Sequence, residues 1–308
     1  MQAEPRFASQ SQTFWAYVRT ITEALGSSVP RSGVISAFTP ADMHRAMARL
    51  GRSTEALGSV HDPSDLALLL EDYFAYRAAV LNQQVKSDLM VTAEASELFD
   101  GVVEATGAIL LGPVMKAGKQ IAVDYLVHGD TVRVPMNKQT GEMRQPSFLT
   151  GIVNLVVADA LGGRPCDYDP RALPVIDFEG TLYAAMSRRM DGSMPATVNP
   201  LAMWEIKEYY YTTTFGSKIS DAVYITALDG YERAEVEAVT GVPIDHLIIV
   251  DAYDTWWVKG KSYLCRLVDL VNMGKVTHLI CGREAVRELP LLAAEWAARW
   301  DDQEQQHG

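Results

Sequence analysis

The feature that most narrows the fold is an alternation of strand-like and helical stretches in the second half of the chain. Apolar, β-branched runs over 246–252 and 277–281 are each followed by a helical pattern, over 261–272 and 283–300, and another helical stretch over 217–240 precedes them. Strands joined through helices run parallel, because a parallel pair needs a crossover of about a dozen residues or more. The expected class is therefore α/β, a mixed central sheet with helices packed on its faces. A chain of 308 residues that is 48% hydrophobic and 21% charged has the material to bury such a core.

The first third follows a helical period. Phe14, Val18, Ile21 and Leu25 recur at helical spacing, and Gly26 is a natural stop. Thr39 caps a helix opened by Pro40 that carries Met43, Met47 and Leu50, with Gly51 just past its end. Asp62-Pro63-Ser64-Asp65 starts a third, apolar helix reaching Leu81, and the three are expected to form one bundle. A fourth helix over 92–111 precedes the first strand-like stretch, 120–128; further strand-like runs cover 173–178, 181–187 and 200–205. The expected organisation is an N-terminal helical region over 1–90, a core over 91–300 and a frayed acidic tail over 301–308.

Composition excludes several classes. Lys and Arg number 27 against 39 Asp and Glu, and the net charge of −12 argues against a basic nucleic-acid tail or a polybasic membrane binder. Cys166, Cys265 and Cys281 are widely spaced with no CxxC, so neither a disulfide framework nor a structural zinc site is expected, and a reducing, cytoplasmic setting fits. No apolar run approaches the roughly 18–20 residues of a membrane span, so a soluble chain is expected. Gly216-Ser217-Lys218 lacks the upstream glycine of a phosphate-binding loop, and neither GxGxxG nor GxSxG occurs.

The chemistry gathers between Arg188 and Lys218. Residues two apart on a strand share a face, so Glu205 and Lys207 project side by side while Ile206 points into the sheet packing. A hairpin turning near Gly192-Ser193 brings Asp191 beside them. Two carboxylates meeting at a point repel each other unless a divalent cation lies between, and oxygen-only ligation suits Mg²⁺. A lysine alongside can hold the attacking water and stabilise developing charge, a set suited to phosphodiester hydrolysis.

Asp191, a spacer of thirteen residues and Glu205-Ile206-Lys207 at the end of an apolar strand resemble the PD-(D/E)XK nuclease superfamily. Met190 stands where the family name has proline. The resemblance covers about 92–300 and implies a restriction-endonuclease-like mixed sheet flanked by helices. It implies Mg²⁺ on Asp191, Glu205 and the Ile206 carbonyl, and catalysis by Asp191, Glu205 and Lys207. The expected function is a Mg²⁺-dependent endonuclease cutting double-stranded DNA, in prokaryotic restriction or phage defence. The N-terminal helices then serve DNA recognition or dimerisation, and a homodimer or higher even oligomer matches the two-fold symmetry of the duplex. The alternatives are a catalytically silent DNA-binding or sensor subunit of the same fold, and a structure-selective or RNA-directed nuclease.

Around this set, Arg188 and Arg189 are candidates for backbone phosphates, as are Ser217 and Lys218 at a helix start after the polar aromatic run 209–215. Surface arginines and an edge-strand extension explain them equally well. The superfamily often adds a glutamate from a preceding helix, where Glu94, Glu97 and Glu104 compete with plain solvated charges. Trp256-Trp257 is more often core than a stacking platform; Asp251 and Asp254 follow a strand as a second acidic pair or, equally, a plain strand-end loop, and His128 reads as a surface histidine. An acidic nuclease needs a local basic groove, for which Arg45, Arg49 and Arg52, Lys116 and Lys119, and Arg133, Lys138 and Arg144 are the available clusters.

Overall fold

The computed structural model describes residues 1–29, 33–211 and 216–307, with the side chains of 217, 306 and 307 left out. Helix α1 (Pro5–Ala8) leads into α2 (Gln12–Leu25), which the Ser11 hydroxyl caps by accepting from the Phe14 N–H at 3.3 Å. Thr39 and Asp42 form a capping box that opens α3 (Pro40–Arg49). Ser64 caps α4 (Asp65–Ala79), which continues through a π-helical turn into α5 (Lys86–Asp88), past the expected end at Leu81. Phe14, Val18, Ile21, Met43, Met47, Leu70 and Phe74 close around Tyr73, the expected bundle.

Helix α6 (Thr92–Ala105) is shorter than expected, because Gly107 takes a left-handed φ of 62° and ends it. The apolar residues beyond form not a last helical turn but strand β1 (Ile109–Lys116), which runs antiparallel to β2 (Lys119–Val127) and so into β3 (Asp130–Pro135). Ala117-Gly118 and His128-Gly129 link the strands with positive φ at both turn residues, the conformation that matches strand twist in tight hairpins. Helix α7 (Phe148–Leu161) was not expected. It is buried on nearly all sides, so its sequence shows no amphipathic period. Gly151 is required where α7 meets α6, since a Cβ there would lie 2.4 Å from the Phe99 ring.

A hairpin of β4 (Val175–Phe178) and β5 (Thr181–Ala185) stands apart from the main sheet. That sheet is four-stranded and mixed, in the order β6 (Gly192–Met194), β7 (Ala202–Glu208), β8 (Asp245–Asp251), β9 (His278–Cys281). Strands β6 and β7 are antiparallel, whereas β7, β8 and β9 run parallel through the crossover helices α8 (Ser217–Thr240) and α9 (Lys261–Asn272). The terminal helix α10 (Ala285–His307) follows. The strand expected over 200–205 therefore sits later and runs on to Glu208, and the expected single central sheet is three separate sheets.

Alternation along the strands assigns the two faces of the main sheet. Trp204, Ile206, Leu247, Ile249 and Ile280 pack with α7 and α10, while Ile248, Val250, Leu279 and Cys281 pack with α8 and α9. Since Glu205 and Lys207 alternate with Trp204 and Ile206, they project toward the α8 side. Among the described residues, no helix is long and apolar enough to cross a membrane.

Candidate active site

The expected turn at Gly192-Ser193 is strand β6, and the chain reverses over 195–201 instead. Asp191 nevertheless arrives where the spacing placed it. Its N–H donates to the Trp204 carbonyl at 2.9 Å, and its Oδ2 accepts from the Ile206 N–H at 2.7 Å, replacing the ladder bond lost where β6 ends. Gly192 permits this approach: a Cβ there would lie 2.1 Å from the Trp204 indole, which stacks on Trp296 at 5.8 Å.

Glu205 is 6% exposed and Lys207 bonds its Oε1 directly, as strand geometry requires. Arg188 occupies the other oxygen, with Nη1 2.7 Å from Glu205 Oε2. The same guanidinium donates through Nη2 to Asp229 Oδ2 at 2.6 Å, and Asp229 is fully buried on α8. One turn along α8, Glu232 accepts the Ser187 N–H at 3.0 Å and also the Ser187 hydroxyl, fixing the segment that carries Arg188. Arg188 is thus an internal counter-ion. The expectation was a contact with backbone phosphates; in this structure its partners are Glu205 and Asp229, two carboxylates that would lose balancing charge if it turned outward.

Electrostatics follows this wiring. Burial first, then the charge of Glu205, pushes the Asp191 carboxyl up to about 7, against the Ile206 N–H, Lys207 and Arg188, which pull it down. Burial also works to raise Glu205, but Lys207 and Arg188 outweigh it and hold that carboxyl below its ordinary range. For Asp229 burial prevails over Arg188 and the carboxyl rises. Tyr209, stacked on Trp256 at 5.9 Å, has its phenol pushed up to about 12 by burial and by the charges of Glu205, Asp221 and Asp191. His246 on β8 is lowered to about 4 by burial, against a bond to the Lys275 carbonyl, so it is neutral at pH 7.

The donor set suits a small hard cation that keeps most of its waters. Asp191 Oδ1 accepts no hydrogen bond among the described residues, and each Glu205 oxygen retains a lone pair beside its cation. The Ile206 carbonyl lies on the Asp191 side of β7, since the N–H and C=O of one strand residue point the same way. Among the described residues no group of three or more His, Cys, Asp or Glu gathers to hold a metal.

The remaining candidates separate. Arg189 and Lys218 are exposed, and the Lys218 carbonyl accepts from the Tyr209 hydroxyl at 3.4 Å. The side chain of Ser217 and residues 212–215 of the aromatic run lie outside the described residues. Glu94 caps its own helix, accepting the Val91 N–H at 2.9 Å, and pairs with Arg283 at 2.7 Å; Glu97 and Glu104 are exposed. Trp256 and Trp257 are core residues, and His128 pairs with Asp159 at the surface. Within the basic clusters Arg45 pairs with Asp42 and Arg133 with Asp124, while Arg49 donates to the Ala24 carbonyl, so much of that charge is already engaged. Asp229 and Glu232 escaped the sequence reading; the only signal was acidic residues on the buried side of a long helix.

Fold and site together define a mixed α/β protein with Glu205 and Lys207 on one sheet face and Asp191 where β6 leaves β7. Residues 90–296 match the family described as domain of unknown function DUF7687, and the chain belongs to that family. Residues 1–84 match a second such description, DUF7690. Neither the curated proteins nor the solved structures contain a match.

Proposed function

We propose that the protein is a Mg²⁺-dependent endonuclease of restriction-endonuclease-like fold, acting on DNA in the cytoplasm as a two-fold dimer. The observation that carries this reading is that Asp191 is bonded to the Ile206 N–H, between Glu205 and Lys207 in sequence and near enough for their charges to act on it, while its Oδ1 accepts no hydrogen bond among the described residues. The antiparallel β6–β7 pair bearing them, followed by a helix and the parallel strand β8, supports the superfamily resemblance. A divalent cation at this pair supplies charge neutralisation and Lewis acidity toward a phosphate oxygen. Glu205, itself held by Arg188, keeps the Lys207 ammonium fixed, where it orients water and stabilises the charge that develops on the phosphate.

The test is supercoiled plasmid incubated with Mg²⁺ and, in parallel, with EDTA. Wild type should cleave only with Mg²⁺, and Asp191→Ala should not cleave. Lys207→Ala should slow cleavage about 10²–10⁴-fold while DNA affinity falls modestly, because one phosphate contact is a small share of binding. Equal cleavage by wild type and Lys207→Ala would remove the lysine from the chemistry.

The pairing of both Glu205 oxygens, one with Lys207 and one with Arg188, favours one second reading, a silent DNA-binding subunit in which arginine balances the carboxylates. Wild type that binds duplex DNA and leaves DNA and RNA intact with either Mg²⁺ or Mn²⁺ would establish that reading over the first.

A further inference from the structure

We propose that the cleft between α2, α8 and α9 is a binding site for a nucleotide. The cleft has a volume of about 660 Å³, within the usual range for small-molecule pockets. Tyr224 and Tyr231 line it two turns apart on α8 and are 60% and 46% exposed, with Arg266 over one ring at 5.9 Å and Lys275 over the other at 4.1 Å. Arg19 and Arg266 line it from α2 and α9.

Many arginines of this molecule, such as Arg164, Arg287 and Arg299, sit on carboxylates. Arg19 and Arg266 form no ion pair among the described residues: Arg19 Nη2 meets the Met273 sulfur at 3.1 Å, and Arg266 Nη1 meets the Tyr224 hydroxyl at 3.1 Å. Lys275 extends the positive rim, its Nζ 4.1 Å from the Tyr231 ring centroid. Glu23 also lines the cleft, whereas Asp269 at its floor is already balanced by Arg77 at 3.0 Å. In a chain of net charge −12, two guanidinium groups and a lysine held off carboxylates beside half-exposed tyrosine rings make a place for an anion bearing a flat ring. Guanidinium forks match phosphate oxygens, and tyrosine faces stack on a base. No glycine-rich loop is involved, so recognition falls to side chains alone.

Titration calorimetry with ATP and GTP, and separately with adenosine and inorganic pyrophosphate, tests the assignment. EDTA in the buffer keeps cation-dependent events at Asp191 and Glu205 out of the reading, and Asp191→Ala should bind as wild type does. ATP or GTP should bind more tightly than either half-ligand. The double variant Arg19→Glu/Arg266→Glu should weaken binding about tenfold or more, and Tyr224→Ala should weaken nucleotide but not pyrophosphate. If the double variant melts early, Arg266→Met keeps the stem against Tyr224 and gives the same comparison. No binding of ATP or GTP in the millimolar range, pyrophosphate binding as tightly as they do, or undiminished binding by the arginine variants would each overturn the proposal.

Discussion

At the residue scale, what the sequence revealed depended on how local the relevant partner is. Glu205 and Lys207 declare their shared face through strand alternation alone, and Asp191 through its spacing from them. Arg188 does not, because its buried partner Asp229 lies 41 residues away on another element. Asp251 is a second case: its sequence suits a second acidic pair with Asp254 as well as a plain strand end, and the residue is fully buried. It accepts the Met90 N–H at 2.9 Å and the Tyr210 hydroxyl. Burial raises its carboxyl from 3.8 to about 8, despite those two bonds. The unfolded chain releases that proton near pH 4 and the folded chain near pH 8, so between these values the folded state holds one more proton. Stability attributable to Asp251 is therefore greatest below the window, falls as pH rises through it by up to about 1.4 kcal/mol per unit, and levels off above. Asp251→Asn mimics the neutral carboxyl and removes the dependence. Urea midpoints should show the variant gaining on wild type between pH 5 and pH 8.5; a constant difference would mean that Asp251 titrates normally.

At the scale of elements, periodicity succeeded where an element has one wet face and failed where it has none or two. Helices α2, α3 and α4 were legible from their apolar stripes and caps, whereas α7 is apolar all round and β1 exposes Ile109, Leu110 and Leu111, so neither shows its period. The β6–β7 pair was legible as an association, but its turn was misplaced because Gly192-Ser193 resembles turn chemistry. Gly192 is there for Trp204, not for a turn. Gly192→Ala should therefore cost about 1–3 kcal/mol by overpacking against the indole, and it should also loosen Asp191, the next residue. Trp204→Phe removes the indole nitrogen ring that the new methyl meets, so the double variant should melt higher than the two single losses predict together. Strict additivity would show that the glycine is not held by this contact.

At the scale of the whole molecule, the N-terminal helices are joined to the sheet region by shared core. Ile35, Ala78, Leu81 and Val85 pack in one cluster with Ile248, Leu264 and Leu279. The sequence suggested a division near residue 90 because the helical grammar ends there, and grammar carries no information about what a helix packs on. A polar link lies inside the junction: Arg77, with no exposed surface, donates to Asp269 on α9 at 3.0 Å and to the Thr22 hydroxyl at 3.0 Å, and the Tyr73 hydroxyl donates to the same Asp269 oxygen at 2.5 Å. Burial opposes the charge on Arg77, but Asp269 more than compensates and its guanidinium is held more basic than usual. Removing one partner leaves the other charge buried and unpaired, which typically costs about 3–5 kcal/mol, whereas replacing both with apolar groups of similar volume is often close to neutral. Arg77→Ala should accordingly lower stability across the entire chain in one cooperative transition, and Arg77→Met/Asp269→Leu should recover most of the loss. Chemical denaturation followed by both tryptophan fluorescence and circular dichroism measures this. If Arg77→Ala instead produced two separated transitions, the helical region would be an independent folding unit and the shared core would contribute little to its stability.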